Sequence, residues 1–479
     1  MLAGGCEIHQ VTPPPASLRE YEQAQAASTH PYPDRTIVLH NVRRVLDPQL
    51  GESERVESLG VVARLGQGNA EVQDQIATLL TDDSCPEALR SGVADILLKS
   101  DHPGAAAHVL KTLPALRTDS PMKQHLLDWL SRHPTPAVLA EVVKLWGQEE
   151  STTSIDEPRY RQVVERLTGK AWDQALLDAL NTRGFRARGS AMAVLSARRP
   201  RADLVRRIGA LSAKTDAVAV MQYYLQVFDY LPTSGRSMLQ CVWVYAKDPS
   251  GFDGASKLAS AWRTSYDYRF DVRDFHLVSR LSRDPLRKNH QRSELILRLA
   301  RSLLKRRHVR RKVAQPVGLY DFSDQFGKHV ESLTMADLWN LVLLDEMLAR
   351  PRVRSALQVV CERDRADTRS AWGGLVFYEA GQAEAKLYPP SYDYAPSDQT
   401  YRPTLQATQD GRVALCRFHG HFEKVDNTDR AGPTAEELQA IRQENVYGLV
   451  LTRLAEGAFC AHYYNPKGIV ISLGSFPFP

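Results

Sequence analysis

Apolar residues recur at helical spacing along the first half of the chain, from about residue 55 onward. In two successive segments they stand at positions i, i+4, i+7 and i+8, so that each segment carries one apolar stripe. That spacing predicts amphipathic helices with one face turned toward a core. The two sets are Val72, Ile76, Leu79 and Leu80, and Leu89, Val93, Ile96 and Leu97.

The predicted helix starts recur as well. A capping residue followed by proline is typical of a helix N-terminus, and the prolines of four such signals lie 17, 18 and 15 residues apart. The first two steps together span 35 residues, which is the length of a helix–turn–helix repeat. Each helix pair can bury its stripe only against its neighbours, so the pattern predicts a stacked α-solenoid. An irregular helical domain is the alternative. The four signals are Ser84-Cys85-Pro86, Asp101-His102-Pro103, Ser120-Pro121 and Thr135-Pro136.

The loose Leu/Val/Ala pattern of residues 55–245 resembles HEAT-type helical repeats. It lacks the Trp/Gly/Tyr pattern of tetratricopeptide units and the Thr-Pro-Leu-His of ankyrin repeats. The resemblance implies a scaffold that binds a protein partner along one face of the array. We expect a flexible Pro-rich tether over 1–35, HEAT-like repeats over 36–250, and further helices over 251–349.

The pattern changes over 350–479, where short apolar runs alternate with turns. Strands are predicted at 372–378, 412–418, 446–454, 459–464 and 469–473, and one helix at 434–441. The Asn465-Pro466-Lys467-Gly468 segment between the last two strands is a turn signal. The predicted fold class is therefore α+β multidomain, with an N-terminal α-solenoid followed by a small C-terminal α/β domain.

The candidate chemistry of this domain lies at Phe418-His419-Gly420-His421, where a predicted strand ends. Two histidines at i and i+2 can point the same way and bind one metal ion through their imidazole nitrogens. A downstream acid would supply the third ligand. An unrelated exposed pair of histidines is the alternative.

An ordered set of motifs surrounds the two histidines. It runs from Trp372-Gly373-Gly374-Leu375-Val376 to Phe418-His419-Gly420-His421, and then to Gly432-Pro433-Thr434-Ala435-Glu436-Glu437 and Tyr464-Asn465-Pro466-Lys467-Gly468. This set resembles the JAB/MPN (JAMM) metallopeptidase-like fold over about a quarter of the chain. The resemblance implies that His419 and His421 are zinc ligands, that Thr434 stands for the motif serine, and that Glu437 stands for the aspartate ligand. Zinc would then activate a water molecule for attack on an amide carbonyl.

Three departures from the family pattern bear on activity. The catalytic glutamate of the family maps onto Ala371, which cannot act as a general base. Glu437 is one methylene longer than the aspartate that it replaces. The loop before it is longer than in the family and contains Asp426 and Asp429, which are alternative ligands. Glu379 is a candidate base. Two hypotheses follow: a non-catalytic domain in a protein-interaction scaffold, or a zinc-dependent peptidase or isopeptidase.

Charge adds one feature that the net value of +5 conceals. Residues 280–312 contain thirteen Lys or Arg and only two acids, so the segment carries +11 and the remainder −6. An amphipathic helix with a basic face is predicted here, which could contact nucleic acid, anionic lipid or an acidic partner. A solvated face neutralised by acids elsewhere in the chain is the alternative. Aromatic residues do not interleave the block, so we do not expect nucleic-acid binding. The candidate face consists of Arg298, Arg301, Lys305 and Arg306.

The first residues, Met1-Leu2-Ala3-Gly4-Gly5-Cys6, resemble the end of a bacterial lipoprotein signal peptide. If the true start lies upstream of Met1, Cys6 would carry a lipid and hold the protein in the cell envelope. Otherwise the protein is expected in the cytoplasm. Hydrophobic residues make up 43% of the chain, and no run reaches the roughly 18 apolar residues of a membrane span. The six cysteines form no CxxC pair, which argues against a zinc knuckle.

Overall fold

The computed structural model describes most of the chain in two compact units. The first unit ends at Arg199, and the second runs from Pro200 to Pro479. These units are coarser than the four segments expected from the sequence, whose limits stay predictions. The proposed lipid-bearing Cys6 and the Asp101-His102-Pro103 signal lie outside the described residues. The described residues are 15–26, 34–66, 69–82, 84–99, 105–113, 116, 121–132, 135–148, 157–309, 324–367, 370–379, 381–391, 401, 403–411 and 413–479.

The described part of the first unit is helical, as the spacing of apolar residues predicts. All eight apolar residues of the two stripes are buried. The helix that follows Pro86 begins at Glu87, and the one at Pro136 is capped by Thr135, whose Oγ1 accepts a hydrogen bond from Val138 N at 3.2 Å. The helices are α1 (Leu18–Ala26), α2 (Asp34–Leu46), α3 (Glu52–Leu65), α4 (Ala70–Ala77), α5 (Glu87–Lys99), α6 (Ala105–Thr112), α7 (Pro121–Leu130), α8 (Pro136–Gln148), α9 (Glu157–Thr168), α10 (Trp172–Leu180) and α11 (Arg188–Arg198).

These helices pack mainly against helices close to them in the chain. Helix α2 packs on α3, α3 on α5, α8 on α9 and α11, and α10 on α11. Between α8 and α9, the rings of Trp146 and Tyr160 stack with centroids 6.3 Å apart. Packing between near neighbours is what a stacked array requires, because each helix covers the apolar stripe of the next.

The second unit begins with a further group of helices. Helix α19 has buried residues on every side, which is typical of a helix at the centre of a core. No helix within the described residues is long and apolar enough to cross a membrane. The helices are α12 (Arg201–Gly209), α13 (Asp216–Phe228), α14 (Gly235–Lys247), α15 (Phe252–Tyr266), α16 (Phe275–Ser282), α17 (Arg292–Leu303), α18 (Phe326–His329), α19 (Met335–Ala349), α20 (Pro351–Ala366), α21 (Leu405–Asp410) and α22 (Ala435–Glu444).

A six-stranded mixed sheet completes this unit, with strand order β2-β1-β3-β4-β5-β6. Strands β3 and β4 are parallel and joined through α22, and the other neighbouring pairs are antiparallel. The expected α+β architecture, a helical region followed by a mixed sheet, is confirmed. The strands are β1 (Gly373–Glu379), β2 (Gln382–Tyr388), β3 (Cys416–His421), β4 (Gly448–Leu454), β5 (Ala458–Tyr464) and β6 (Val470–Pro477).

The two faces of the sheet have different neighbours. One face, which includes Phe418 and Leu449, shares a single hydrophobic core with helices of the same unit, among them α19. On the other face, Val450 and Tyr464 pack against Ile441 of α22. Side chains alternate between the two faces of a strand, so His419 and His421 lie on the face covered by α22. We call this the histidine face.

The structure corrects two local expectations for the sheet. The strand expected at 412–418 is β3, which begins at Cys416 and continues to His421, so that both histidines lie within the strand. Two further elements are present that the sequence pattern was not expected to form: β2, whose residues 382–388 alternate polar and apolar side chains, and the short helix α21. The alternation in β2 is a strand signal that could have been found.

Candidate metal centre

Strand β3 places His419 and His421 side by side. Because they stand two positions apart in one strand, both side chains project from the histidine face. Their rings lie with centroids 5.2 Å apart. Only 4% of the surface of His419 and 0% of that of His421 is exposed. Buried imidazoles need polar partners, since an unpaired polar group in a protein interior is costly.

Glu437 is that partner, and α22 brings it to the histidines. The connection from β3 to the parallel strand β4 runs through this helix, whose N-cap is Thr434. Glu437 N donates to Thr434 Oγ1 at 3.2 Å, and Thr434 N donates to Glu437 Oε2 at 2.8 Å, which forms a capping box. The box fixes the carboxylate at the first turn of the helix, beside the strand that carries the histidines.

One carboxylate oxygen of Glu437 lies within hydrogen-bond distance of both imidazoles. Its Oε1 lies 2.7 Å from His419 Nε2 and 3.1 Å from His421 Nε2. The ligand atoms of the three residues all lie within 4.8 Å of one another. Two imidazole nitrogens and one carboxylate form a donor set that zinc uses in proteins, so these residues fit the metal that the JAMM resemblance implies.

The backbone holds His421 in the orientation that a metal ligand requires. Its Nδ1 donates to the carbonyl oxygen of Arg430 at 2.7 Å, so Nε2 faces Glu437. The same carbonyl accepts from Thr452 Oγ1 at 3.4 Å, and the Arg430 guanidinium pairs with Glu423. Metal-binding histidines usually donate their second ring nitrogen to such an acceptor. Arg430 acts here through its carbonyl group, which no side-chain motif could have signalled.

The electrostatics of the cluster are those of a buried ion pair. Burial alone would raise the pKa of Glu437, but the charges and hydrogen bonds of His419 and His421 outweigh burial and hold it well below its usual range. Burial lowers the pKa of His421, yet hydrogen bonding to Glu437 and its negative charge outweigh that effect and raise it. Without a metal the cluster is therefore an ionised carboxylate paired with imidazole groups. A metal ion would bind Glu437 in this ionised form, and it would have to displace the proton from His421 Nε2.

The remaining predicted site residues lie outside this cluster. Asp426 is exposed and accepts a hydrogen bond from Thr428 N, and Asp429 lies in a short 3-10 turn. Neither belongs to the group of potential ligands formed by His419, His421 and Glu437. Glu379, the candidate base, is exposed and ends β1, six residues from the Gly373 that pairs with His419. At strand spacing that is about 20 Å along the sheet.

Ala371, the residue onto which the JAMM resemblance maps a catalytic glutamate, is completely buried. The Gly-Gly pair that follows it has a steric role. A Cβ atom on Gly374 would lie 2.2 Å from the backbone oxygen of Lys386 in β2, and one on Gly373 would lie 2.4 Å from that of Phe418 in β3. The pair is required because strands on both sides approach β1 closely.

The structure divides the basic block that the sequence presents as one face. Arg306 is largely buried and pairs with Asp345, and Arg298 pairs with Glu346. These two predicted members therefore do not form a free cationic surface. Arg301 and Lys305 are exposed, and their side chains make no hydrogen bond or ion pair within the described part of the chain. Neutralisation by acids elsewhere in the chain therefore applies to some members of the block, Arg298 and Arg306 among them.

The cysteines take no part in the centre. The five in the described residues are free and buried. Cys416 lies in β3 and Cys460 in β5, which are separated by β4. A disulfide between these two residues is therefore excluded by the strand order.

The chain was compared with protein-family models, with curated proteins and with solved structures, and none of the three comparisons gave a match.

Proposed function

We propose that this protein is an interaction scaffold in which a helical array is joined to a metal-binding, non-catalytic JAMM-like domain. The observation that carries the proposal is the buried cluster of His419, His421 and Glu437, with ligand atoms within 4.8 Å of one another. In this proposal the cluster holds zinc, and the metal stabilises the domain by linking β3 to α22.

The binding of a metal is favoured by the donor set and by its burial. Without a metal, three ionisable side chains share a site in which each is at most 6% exposed. A divalent cation would satisfy both Nε2 atoms and the Glu437 carboxylate together, and binding energy of this kind adds to the stability of the folded state. The second contact of His421, through Nδ1 to a carbonyl, is compatible with metal binding.

The candidate acid–base positions of the described residues argue for a non-catalytic role. Hydrolysis by a metal-bound water needs a group that can take up and deliver protons, typically worth about 10²–10⁴-fold in rate. The single carboxylate of the cluster, Glu437, would be a metal ligand. Ala371 has no titratable group, and Glu379 ends β1 away from the cluster. Burial of the cluster also opposes the entry of a polypeptide substrate.

A zinc-dependent peptidase or isopeptidase is the second candidate. It is favoured by the donor set itself, because two histidines and one glutamate are the protein ligands of many catalytic zinc sites. In that case His419 and His421 would hold a metal that polarises a carbonyl group and activates water.

The scaffold role rests on the helical array of the first unit. Its stacked helices and the HEAT-like pattern favour a protein partner bound along the array. Membrane attachment through a lipid on Cys6, and with it a bacterial envelope location, is part of the same proposal. Chemical crosslinking of the full chain in cell extract, followed by mass spectrometry, should place crosslinks to other proteins mainly on lysines of the first unit. An even spread over both units would contradict this role.

Hydrolysis assays distinguish the two candidates. The zinc-loaded full chain is incubated with fluorescent casein and with an isopeptide-linked peptide, beside the H419A/H421A variant. We expect no hydrolysis above the level of the variant. Hydrolysis that depends on zinc and disappears in H419A/H421A would establish the peptidase and overturn the non-catalytic role.

A further inference from the structure

Helix α17 carries leucines on two opposite sides. One face, formed by Leu295, Leu299 and Leu303, is buried in the core of the second unit. On the opposite side, Leu297 is 50% exposed and Leu304, which directly follows the helix, is 85% exposed. Burial of the first face holds the helix firmly, so the two outer leucines are presented on a rigid element.

Positive charge lies between and beside these two leucines. Leu297, Arg301, Leu304 and Lys305 stand at positions i, i+4, i+7 and i+8. Helical geometry places residues with this spacing on one stripe, and Leu304 keeps helical backbone angles (φ −60°, ψ −21°). Other arginines of the basic block are paired with acids, among them Arg298 and Arg306. Arg301 and Lys305, by contrast, are exposed beside the two leucines.

We propose that the face formed by Leu297, Arg301, Leu304 and Lys305 docks the protein onto an anionic phospholipid surface. Arg301 and Lys305 would contact lipid phosphates, and the leucines would enter the layer below the headgroups. We call this surface the docking face.

The shape and chemistry of the docking face favour lipid over other anionic partners. Leu304 has 85% of its surface exposed and therefore protrudes. A protruding leucine needs a complementary apolar space, which the interior of a bilayer offers without a preformed pocket. Nucleic acid offers phosphates but no apolar layer for the leucines. An acidic protein would need a pocket that matches both leucines.

The expected affinity follows from the four residues. Each basic residue at an anionic membrane surface contributes about a fivefold gain in binding. Loss of both Arg301 and Lys305 should therefore weaken binding about 30-fold, and each leucine that no longer inserts should weaken it about fivefold or more. Because cations act through a screened field, binding should also fall as salt concentration rises.

Vesicle sedimentation tests the proposal with the full chain. The protein carries Cys6→Ser, so that a lipid on that residue cannot contribute. Vesicles contain either phosphatidylcholine alone or phosphatidylcholine with about 30% phosphatidylglycerol. The second lipid is anionic and gives the vesicle surface a negative potential that attracts basic residues. We expect binding to the anionic vesicles alone, and its loss in both R301Q/K305Q and L297S/L304S.

Matched controls separate the docking face from general charge and from misfolding. R263Q/R269Q removes the same charge from other exposed arginines, and Leu239→Ser removes another exposed leucine, 58% exposed. Both controls should bind like the parent chain. Absence of binding by the parent chain would refute the proposal. Equal loss in R263Q/R269Q would also refute it, because it would show attraction by net charge alone. Unchanged vesicle binding in L297S/L304S would refute it as well, because it would show that the leucines do not insert.

Discussion

Replacing Glu437 with glutamine separates the two roles of this side chain. Its Oε2 accepts from Thr434 N in the capping box, while Oε1 meets both histidines. Glutamine keeps the volume and an acceptor oxygen but removes the negative charge. The cap should therefore survive in part, while the bond to a metal ion should be strongly weakened.

The size of the effect follows from linkage between binding and folding. With zinc at 100 times its dissociation constant, the parent chain gains about 2.7 kcal/mol of stability. Even indirect partners of a metal site contribute about 10–100-fold in affinity, so loss of the Glu437 carboxylate should cost about 100-fold or more. At the same zinc concentration the gain then falls to about 0.4 kcal/mol.

Hydrogen–deuterium exchange of peptides from β3 and α22 measures this gain where the metal acts. The metal-stripped chain is compared with and without zinc. Thr434→Ala is the matched control, because it removes only the capping hydroxyl and should cost about 1 kcal/mol equally in both conditions. Retention of the full zinc-dependent protection in Glu437→Gln would refute the assignment of Glu437 as a ligand.

Three further predictions concern the framework that supports the site. Burial, together with nearby arginines, lowers the pKa of His276 to about 4, so between about pH 6.5 and pH 4 a proton binds to the unfolded chain only. Between pH 7 and pH 5 the free energy of unfolding of the parent chain, measured in urea, should therefore fall by about 2 kcal/mol more than that of His276→Phe. Parallel curves of unfolding free energy against pH for the two chains would contradict this. Asp337 accepts hydrogen bonds from four donor groups on other residues. Asp337→Ala should therefore lower the free energy of unfolding by about 3–5 kcal/mol, whereas Tyr463→Phe, which removes one donor, should lower it by about 1 kcal/mol. Equal losses in chemical denaturation would count against this network. Gly374→Ala should lower the free energy of unfolding by about 3 kcal/mol or more, because the new Cβ atom would clash with a backbone oxygen. Gly457→Ala should lower it by about 1 kcal/mol, because Gly457 has φ +67° but no atom within 4 Å of an added Cβ. Similar melting temperatures for the two variants would show that β2 moves aside.

Local spacing predicted several helices of the first unit and the residues of the candidate site. The i, i+4, i+7 pattern located α4 and α5, and capping residues before proline located the starts of α5 and α8. The motif order predicted that His419, His421 and Glu437 belong together, and their ligand atoms do lie within 4.8 Å. Spacing works here because a two-residue step in a strand and the N3 position of a capped helix fix direction locally.

Partners that are distant in sequence could not be predicted in this way. Arg298 pairs with Glu346, and Arg306 with Asp345, 48 and 39 residues away along the chain. A count of charges cannot reveal such pairs, since they depend on how α17 packs on α19. The same limit applies to Asp274, which accepts a hydrogen bond from the hydroxyl of Tyr447, the residue directly before β4. Only the tertiary structure brings these residues together.

Zinc content tests the central claim most directly. The full-length chain is purified, equilibrated with zinc, dialysed against metal-free buffer and analysed by inductively coupled plasma mass spectrometry. We predict one zinc ion per chain, none in H419A/H421A, and one in H108A/H125A, a matched variant that removes two histidines of the first unit. A parent chain without zinc, or equal zinc in H419A/H421A, would contradict a metal centre formed by His419, His421 and Glu437.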